Sequence, residues 1–370
     1  MTAMPAVQEI SPAAADVITP VAALQPTRRI AALDGIRGIA VLMVIWGHAD
    51  YLPNGAVGVD VFFVLSGYLI TALLLDERTK RGRISFPNFY MRRMLRLLPA
   101  LLLLLALYVP TFVILGQRLD RTLGDAAIAL CYASNWTKAF GHRPDFIGHT
   151  WSLSIEEQFY ILWPMTVLGL YWLVRRGRAG AAICLAAALA ILCYRHWMLS
   201  RGASLERVYF GLDTRGDDLL AGAALAFWTP LLPRLVALVI GWLGLAALFA
   251  FVFCGTVYPG FFMGQHPYAY VWVMTLAILL GLLNDRQGWM ARLLSFKPLV
   301  WVGMISYGLY LFHVPILVEL VHHLKWERWH AAAVGIPLSF GIAALSFYSV
   351  ERPCLRLKDR FRPAQTGARE

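Results

Sequence analysis

Apolar residues in this chain gather into long runs separated by short polar links. The runs cover residues 34–53, 57–75, 98–116, 153–174, 179–198, 216–230, 233–254, 267–284, 298–322 and 331–350. Most approach or exceed the ~20 residues that a helix needs to cross a hydrocarbon core about 30 Å thick. None shows the period-2 alternation of a membrane strand. The pattern therefore predicts an all-α polytopic membrane protein with about ten transmembrane helices. A weaker stretch, 124–136, is too short for a comfortable span. No internal repeat, low-complexity region or second domain interrupts the series.

Charge fixes an expected topology. The loop 76–97 carries Arg78, Lys80, Arg81, Arg83, Arg92, Arg93 and Arg96, and basic clusters recur at Arg175–Arg178 and from Arg352 to Arg362. Basic links stay in the cytosol. The links 51–56 and 255–267 hold no Lys or Arg and belong outside. These assignments agree only if 124–136 does not span, leaving 117–152 as an external loop with a re-entrant or interfacial piece. Both termini are then cytosolic. Residues 1–33 are expected to be a flexible cytosolic tail, since 1–27 lack the basic and apolar regions of a signal peptide. Residues 34–354 form the membrane domain and 355–370 a basic cytosolic tail.

Composition agrees. Of 370 residues, 59% are hydrophobic and 15% charged, and the mean hydropathy is +0.60; soluble domains carry about a quarter charged residues. The net charge of +11 is accounted for by basic links beside apolar runs, so nucleic acid is not an expected partner; the lipid bilayer is. The five cysteines have no metal-ligand spacing and suit small buried hydrophobes. No HExxH, P-loop or dinucleotide fingerprint is present, and no metal is expected.

Several ionisable groups fall within or beside the apolar runs, where they are costly and usually functional. Arg37 and His48 are eleven residues apart in the first run. At about 100° per residue they share one helix face, with His48 about 16 Å along, near mid-depth. Neutral imidazole suits a base or an acyl-accepting nucleophile. Arg92, Arg93 and Arg96 crowd the cytosolic entrance of the third helix, where guanidinium forks suit phosphate oxygens; simple positive-inside anchoring is the alternative. Asp60 and Ser66 lie in the second run, Ser66 in a Ser-Gly pair that also suits close helix packing. Glu156 and Glu157 open the fourth run, favoured there by the helix dipole or acting as acid, base or orienting partner of His48. Asp213, Arg215 and Asp217 suit an interhelical salt-bridge network or a polar acceptor. Tyr307 and His313 lie in the ninth run, for which packing is the plain alternative.

In this order, the segments Asp34-Gly35-Ile36-Arg37-Gly38 through His48, Phe62-Phe63-Val64-Leu65-Ser66-Gly67, the triple-arginine entrance, Trp151-Ser152-Leu153-Ser154-Ile155-Glu156-Glu157-Gln158-Phe159-Tyr160, Asp213-Thr214-Arg215 with Asp217, and Ser306-Tyr307-Gly308-Leu309-Tyr310-Leu311-Phe312-His313 resemble the family-3 membrane acyltransferases. That family includes O-acetyltransferases of bacterial surface polysaccharides, and the resemblance runs from about Leu33 to Pro353. It implies ten helices in the bacterial cytoplasmic (inner) membrane. It also implies transfer of an acyl group, usually acetyl from cytosolic acetyl-CoA, to a hydroxyl of a carbohydrate or glycolipid at the far face. The family's motif histidine and arginine fall on His48 and Arg37, its basic entrance on Arg92, Arg93 and Arg96, and its acidic motif on Glu156 and Glu157. Acyl-CoA is then a donor substrate, with no permanently bound cofactor. Some relatives add an extracytoplasmic hydrolase-like domain; here acceptor transfer is expected from the membrane domain or a separate partner. The competing class is a transporter of a polar or acylated small molecule without covalent chemistry, against which the lack of an inverted repeat counts.

Overall fold

The computed structural model describes residues 30–357 except 53, 143, 145, 175–176 and 255–267, and also residue 361. Among these, the elements are α1 (Ala31–His48), α2 (Gly58–Arg81), α3 (Phe86–Ile114), α4 (Leu119–Leu130), α5 (Ser134–Ala139), α6 (Trp151–Leu173), α7 (Gly177–Ser200), α8 (Leu205–Phe210), α9 (Leu212–Arg215), α10 (Asp217–Phe227), α11 (Arg234–Cys254), α12 (Tyr268–Asn284), α13 (Trp289–Leu294), α14 (Lys297–Met304), α15 (Ser306–Val318), α16 (Arg328–Ser346) and α17 (Arg352–Leu357). No strand occurs among the described residues. The fold is an all-α polytopic membrane bundle.

Every one of the ten apolar runs contains helix, but the helices are unequal. Six among the described residues are long and apolar enough to cross a membrane: those built on α1, α2, α3, α7, α11 and α16, the last continuous through Leu357. The pair α14 and α15, bent by 68°, is either a broken seventh span or a re-entrant piece. The remaining runs hold α6, interrupted in polarity by Glu156 and Glu157, and the shorter α10 and α12. The weak stretch 124–136 falls on α4, α5 and the turn between them, where Tyr132 takes φ 51°. At 12 residues α4 extends only about 18 Å, too short to span. The tail residues 1–29 and the link 255–267 lie outside the described residues.

The first helix starts earlier and stops sooner than its apolar run. It begins at Ala31, and the chain turns sharply after His48, with Asp50 at φ 63° and the amides of Tyr51 and Leu52 both donating to the Trp46 carbonyl. His48 is therefore the last helical residue of α1. Helix α2 ends at Gly82, whose φ of 69° supplies the left-handed cap that other residues reach only with strain.

Two close crossings organise the bundle. A Cβ on Gly35 would run into the Leu294 carbonyl, and one on Gly303 into that of Asp34, so α1 lies directly against α13 and α14. Likewise Gly67 faces the Leu219 carbonyl and Gly222 the Val64 carbonyl, bringing α2 against α10. Without a hydrophobic drive between helices in lipid, such small-residue contacts recover dispersion that bulkier residues would forfeit by holding the backbones apart. Helix α10 is also packed against α7, α11 pairs with α12, and α15 with α16. The large exposed side chains, such as Ile114, Trp172, Leu235 and Leu345, lie on outward faces, as lipid contact requires.

Gly222→Val is expected to destabilise the protein by about 1–3 kcal/mol through overpacking. Thermal unfolding in detergent should show a lowered Tm. Gly169→Ala, at a helical position with open space around it, should leave Tm unchanged or raise it.

Candidate active site

The 68° bend at Ile305 lets one chain segment serve two regions. Ser306 and Tyr307, at the start of α15, face α1 and α3: Arg37 Nη2 donates to Ser306 Oγ at 3.3 Å, and Tyr307 Oη donates to the Leu97 carbonyl at 2.8 Å. Two turns later, His313 reaches the C-terminal end of α1.

The first region is a cavity of about 310 Å³, at the end of the bundle where α1 and α3 begin. Its polar lining includes Arg37, Arg93, Arg96, Glu156, Ser66 and Tyr307. Glu156 Oε1 accepts from Ser66 Oγ at 2.6 Å. Arg37 lies over the Phe62 ring and Arg93 over the Tyr160 ring, arrangements that orient a guanidinium without neutralising it. Among the described residues, none of Arg37, Arg93 and Arg96 has a carboxylate within 4.0 Å. Asp34 and Asp76 also line the cavity, Asp76 being paired with Lys80 at 2.9 Å.

Arg92 departs from the expected trio. It is buried, its Nη2 2.9 Å from Glu77 Oε2 and its Nη1 donating to the Phe361 carbonyl at 3.1 Å. Its partner Glu77 accepts in turn from the Ser85 amide. Arg92 therefore ties α2 to α3, while Arg93 and Arg96, three apart on α3, present the basic face to the cavity.

The second region is a histidine trio at the opposite end of α1. His48 Nδ1 stands 3.2 Å from His313 Nε2 and 2.9 Å from the Val44 carbonyl. His313 Nδ1 lies 2.9 Å from the Leu309 carbonyl, and His149 Nε2 3.1 Å from the Leu311 carbonyl. The His149 and His313 ring centroids are 5.8 Å apart. Between this trio and the cavity stands Tyr310, a cavity-lining residue whose ring is 5.5 Å from His149 and 5.7 Å from His313. Its hydroxyl donates to the His149 carbonyl at 2.7 Å and lies 2.6 Å from Ser152 Oγ.

Some expected partnerships are therefore redrawn. The group touching the His48 ring is His313, and Glu156 is engaged by Ser66, so the acidic pair does not orient His48 here. Ser66 belongs to the arginine-lined cavity. Glu157 does not line the cavity. Gln158, in the same motif, ties α6 to the α4–α5 turn through Tyr132, Asn135 and Trp136.

The second acidic constellation is interhelical. Arg215 Nη2 meets Asp60 Oδ1 at 2.6 Å with both groups buried, and Asp218 Oδ2 lies 4.0 Å from Arg215 Nη1. Phe63, Trp151 and Tyr209 surround the guanidinium. Asp217 pairs with Arg195 at 2.5 Å, and Asp213 with Arg207 at 2.5 Å. Asp60, Arg215 and Asp217 thus join α2, α7, α9 and α10 and are closed to an acceptor; the pair Arg207–Asp213 is partly exposed. His149, Ser152 and Tyr310 were not singled out by sequence. Tyr310 lies three residues before His313, on one helix face with it, a spacing from which it could have been found.

The acyltransferase domain family matches residues 30–348. The chain belongs to this family. It is 32% identical over 349 residues to the peptidoglycan O-acetyltransferase OatA of Listeria monocytogenes, covering 88% of this chain and 55% of that protein. It is 36% identical over 364 residues to the putative peptidoglycan O-acetyltransferase YrhL of Bacillus subtilis, covering 89% and 55%. A putative O-acetyltransferase of Staphylococcus aureus is 34% identical over 353 residues, covering 88% and 57%. The chain thus spans about half the length of the curated relatives it matches. No solved structure matches it. In this acyltransferase-family domain both regions fall within the matched residues.

Removing one partner of the buried pair leaves an uncompensated charge, which costs about 3–5 kcal/mol, whereas exposed pairs contribute about 0–1 kcal/mol. Arg215→Met should therefore lower thermal stability in detergent far more than Arg207→Met, and the double variant Asp60→Asn/Arg215→Met should regain part of the loss.

Proposed function

We propose that this domain is a membrane O-acyltransferase that moves an acyl group, acetyl in the first instance, from acyl-CoA to a hydroxyl of an envelope glycan or glycolipid. The observation that carries the reading is the convergence of Arg37, Arg93 and Arg96 on a cavity whose inner wall, Ser152 and Tyr310, abuts the histidine trio. Cationic groups without carboxylate partners at a cavity mouth suit phosphate. A cavity of about 310 Å³ suits a slim thioester arm, leaving the nucleotide end at the basic surface. In this reading, which the charge bias of the links supports, that surface faces the bacterial cytosol, the protein sits in the inner membrane, and His48 lies toward the external end of α1.

In this reading the Tyr310–Ser152 pair marks the boundary that the thioester reaches. His48 acts there in one of two ways. As nucleophile, its nitrogen bonds the carbonyl carbon, the C–S bond breaks and CoA thiolate leaves; the acceptor oxygen then displaces the imidazole, and the hydroxyl proton goes to the thiolate. As base, it takes the hydroxyl proton while that oxygen attacks the thioester directly, and the proton finally goes to the thiolate. The thioester provides the driving force in both, without a metal or ATP. Glu156, held by Ser66, lines the same cavity and would face the donor beside the arginines. Acceptor would enter from the external side, and a separate extracytoplasmic partner would extend delivery to distant hydroxyls. Two relatives carry peptidoglycan in their names, which makes peptidoglycan fragments the first acceptor to try.

Purified protein given acetyl-CoA should release CoA thiol when such fragments are added, and should label them with acetyl. His48→Ala is expected to lower kcat by about 10²–10⁴-fold with donor affinity retained. Equal turnover in wild type and His48→Ala would remove His48 from the chemistry. Arg93→Ala and Arg96→Ala should each weaken acetyl-CoA binding by at least about tenfold, since charged hydrogen bonds contribute about 1.5–3 kcal/mol. Substrate flux into proteoliposomes without CoA release would replace this reading by a transporter.

A further inference from the structure

The histidine trio contains more information than proximity. A backbone carbonyl only accepts hydrogen bonds, so each imidazole nitrogen facing one must carry the proton. His313 Nδ1 faces the Leu309 carbonyl at 2.9 Å, and His48 Nδ1 faces the Val44 carbonyl at 2.9 Å. A neutral imidazole has a single N–H. His313 Nε2 is therefore a bare lone pair, and it lies 3.2 Å from His48 Nδ1. The His48 N–H is shared between Val44 and His313, and the second nitrogen of His48, Nε2, is left unprotonated. His313 is fully buried in α15, and His149 anchors the same helix through the Leu311 carbonyl, two residues after Leu309. The acceptor is thus built into the helix and not borrowed from solvent.

We infer that His313 is a positioning residue that selects Nε2 of His48 as the reactive nitrogen and holds the Nδ1 proton while His48 carries charge. The inference rests on His48 performing the acyl transfer proposed above. If the acyl carbon bonds Nε2, the ring becomes an acyl-imidazolium whose Nδ1–H is a stronger donor. That proton can pass to His313 Nε2, leaving a neutral acyl-imidazole on His48 and an imidazolium on His313. From acylation to deacylation the pair carries one positive charge, balanced by the thiolate that leaves with the C–S electron pair; when the acceptor alcohol displaces the ring, the His313 proton returns to His48 Nδ1 and the alcohol's proton passes to the thiolate. In the base route the proton received at Nε2 is balanced in the same way. A carboxylate partner would hold the charged ring more firmly; a neutral imidazole stores the proton while keeping the acyl-ring reactive. This separates His313 from an acceptor-binding role.

The test uses the full chain in nanodiscs, with His313→Leu, which removes the acceptor, and His313→Gln, whose side-chain carbonyl can stand near the lost Nε2. Turnover with acetyl-CoA and peptidoglycan fragments is measured beside acetyl-CoA affinity, thermal unfolding and ¹⁵N-histidine NMR. The expected result is a kcat loss of at least tenfold in His313→Leu with KM for acetyl-CoA within about threefold of wild type. His313→Gln should recover most of that loss, and the ¹⁵N signals of His48 should show Nδ1 protonated in wild type and mixed tautomers in His313→Leu. Wild-type turnover in a folded His313→Leu, or equal losses in both variants with His48 keeping one tautomer, would overturn the inference. If wild type itself shows no acyl transfer, the function reading fails, while the NMR arm still decides whether His313 sets the His48 tautomer.

Discussion

A guanidinium enclosed by helices cannot turn to water for its hydrogen bonds, and Arg215 meets that constraint by closing on Asp60. The contact joins α9, at the entrance to α10, to the first turn of α2. With the Gly67 and Gly222 crossings it fixes the depth at which α2 lies against α10. Ser66, one residue before that crossing, is thereby held where its hydroxyl meets Glu156 of α6. The aromatic box of Phe63, Trp151 and Tyr209 around Arg215 reaches the start of α6 as well, so one charge pair sets the relation of α2, α6 and α10. An ion pair of this kind contributes little net stability against an apolar replacement. Its effect is on geometry, because sliding either helix would strand a charge.

The two ends of α1 meet different chemistry. Near its start, Arg37 joins Arg93 and Arg96 around a cavity; at its end, His48 joins His313. Hydrogen bonds from Tyr310 and Ser152 lie between, and the bent α14–α15 pair contributes to both regions. The bend is what makes this possible: a straight helix through Ile305 could not place Ser306 on Arg37 and His313 on His48 while Gly303 remains against Asp34. A single hydrogen-bonded layer thus separates an arginine-lined cavity from an imidazole cluster.

The amino-acid sequence by itself determined the class of fold, because runs of about 20 apolar residues have few stable alternatives in lipid, and it singled out the ionisable residues, because their cost in an apolar run is visible without coordinates. It located Arg37, His48, Arg93, Arg96, Glu156 and His313, and the ordered motifs carried the family. Partnership was decided only by tertiary structure. Arg92 and Arg93 are adjacent in the chain, yet one is spent on Glu77 and the other faces the cavity, a choice set by the neighbouring helix. Glu156 looked like a partner for His48 by depth alone, but helix rotation turned it to Ser66. Asp60 and Arg215 are 155 residues apart and His48 and His313 are 265 apart, separations at which periodicity within one helix says nothing. The end of α1 at His48 likewise depends on the turn at Asp50 and not on hydropathy. Local pattern fixes which residues face inward; the crossing of helices fixes which of them meet.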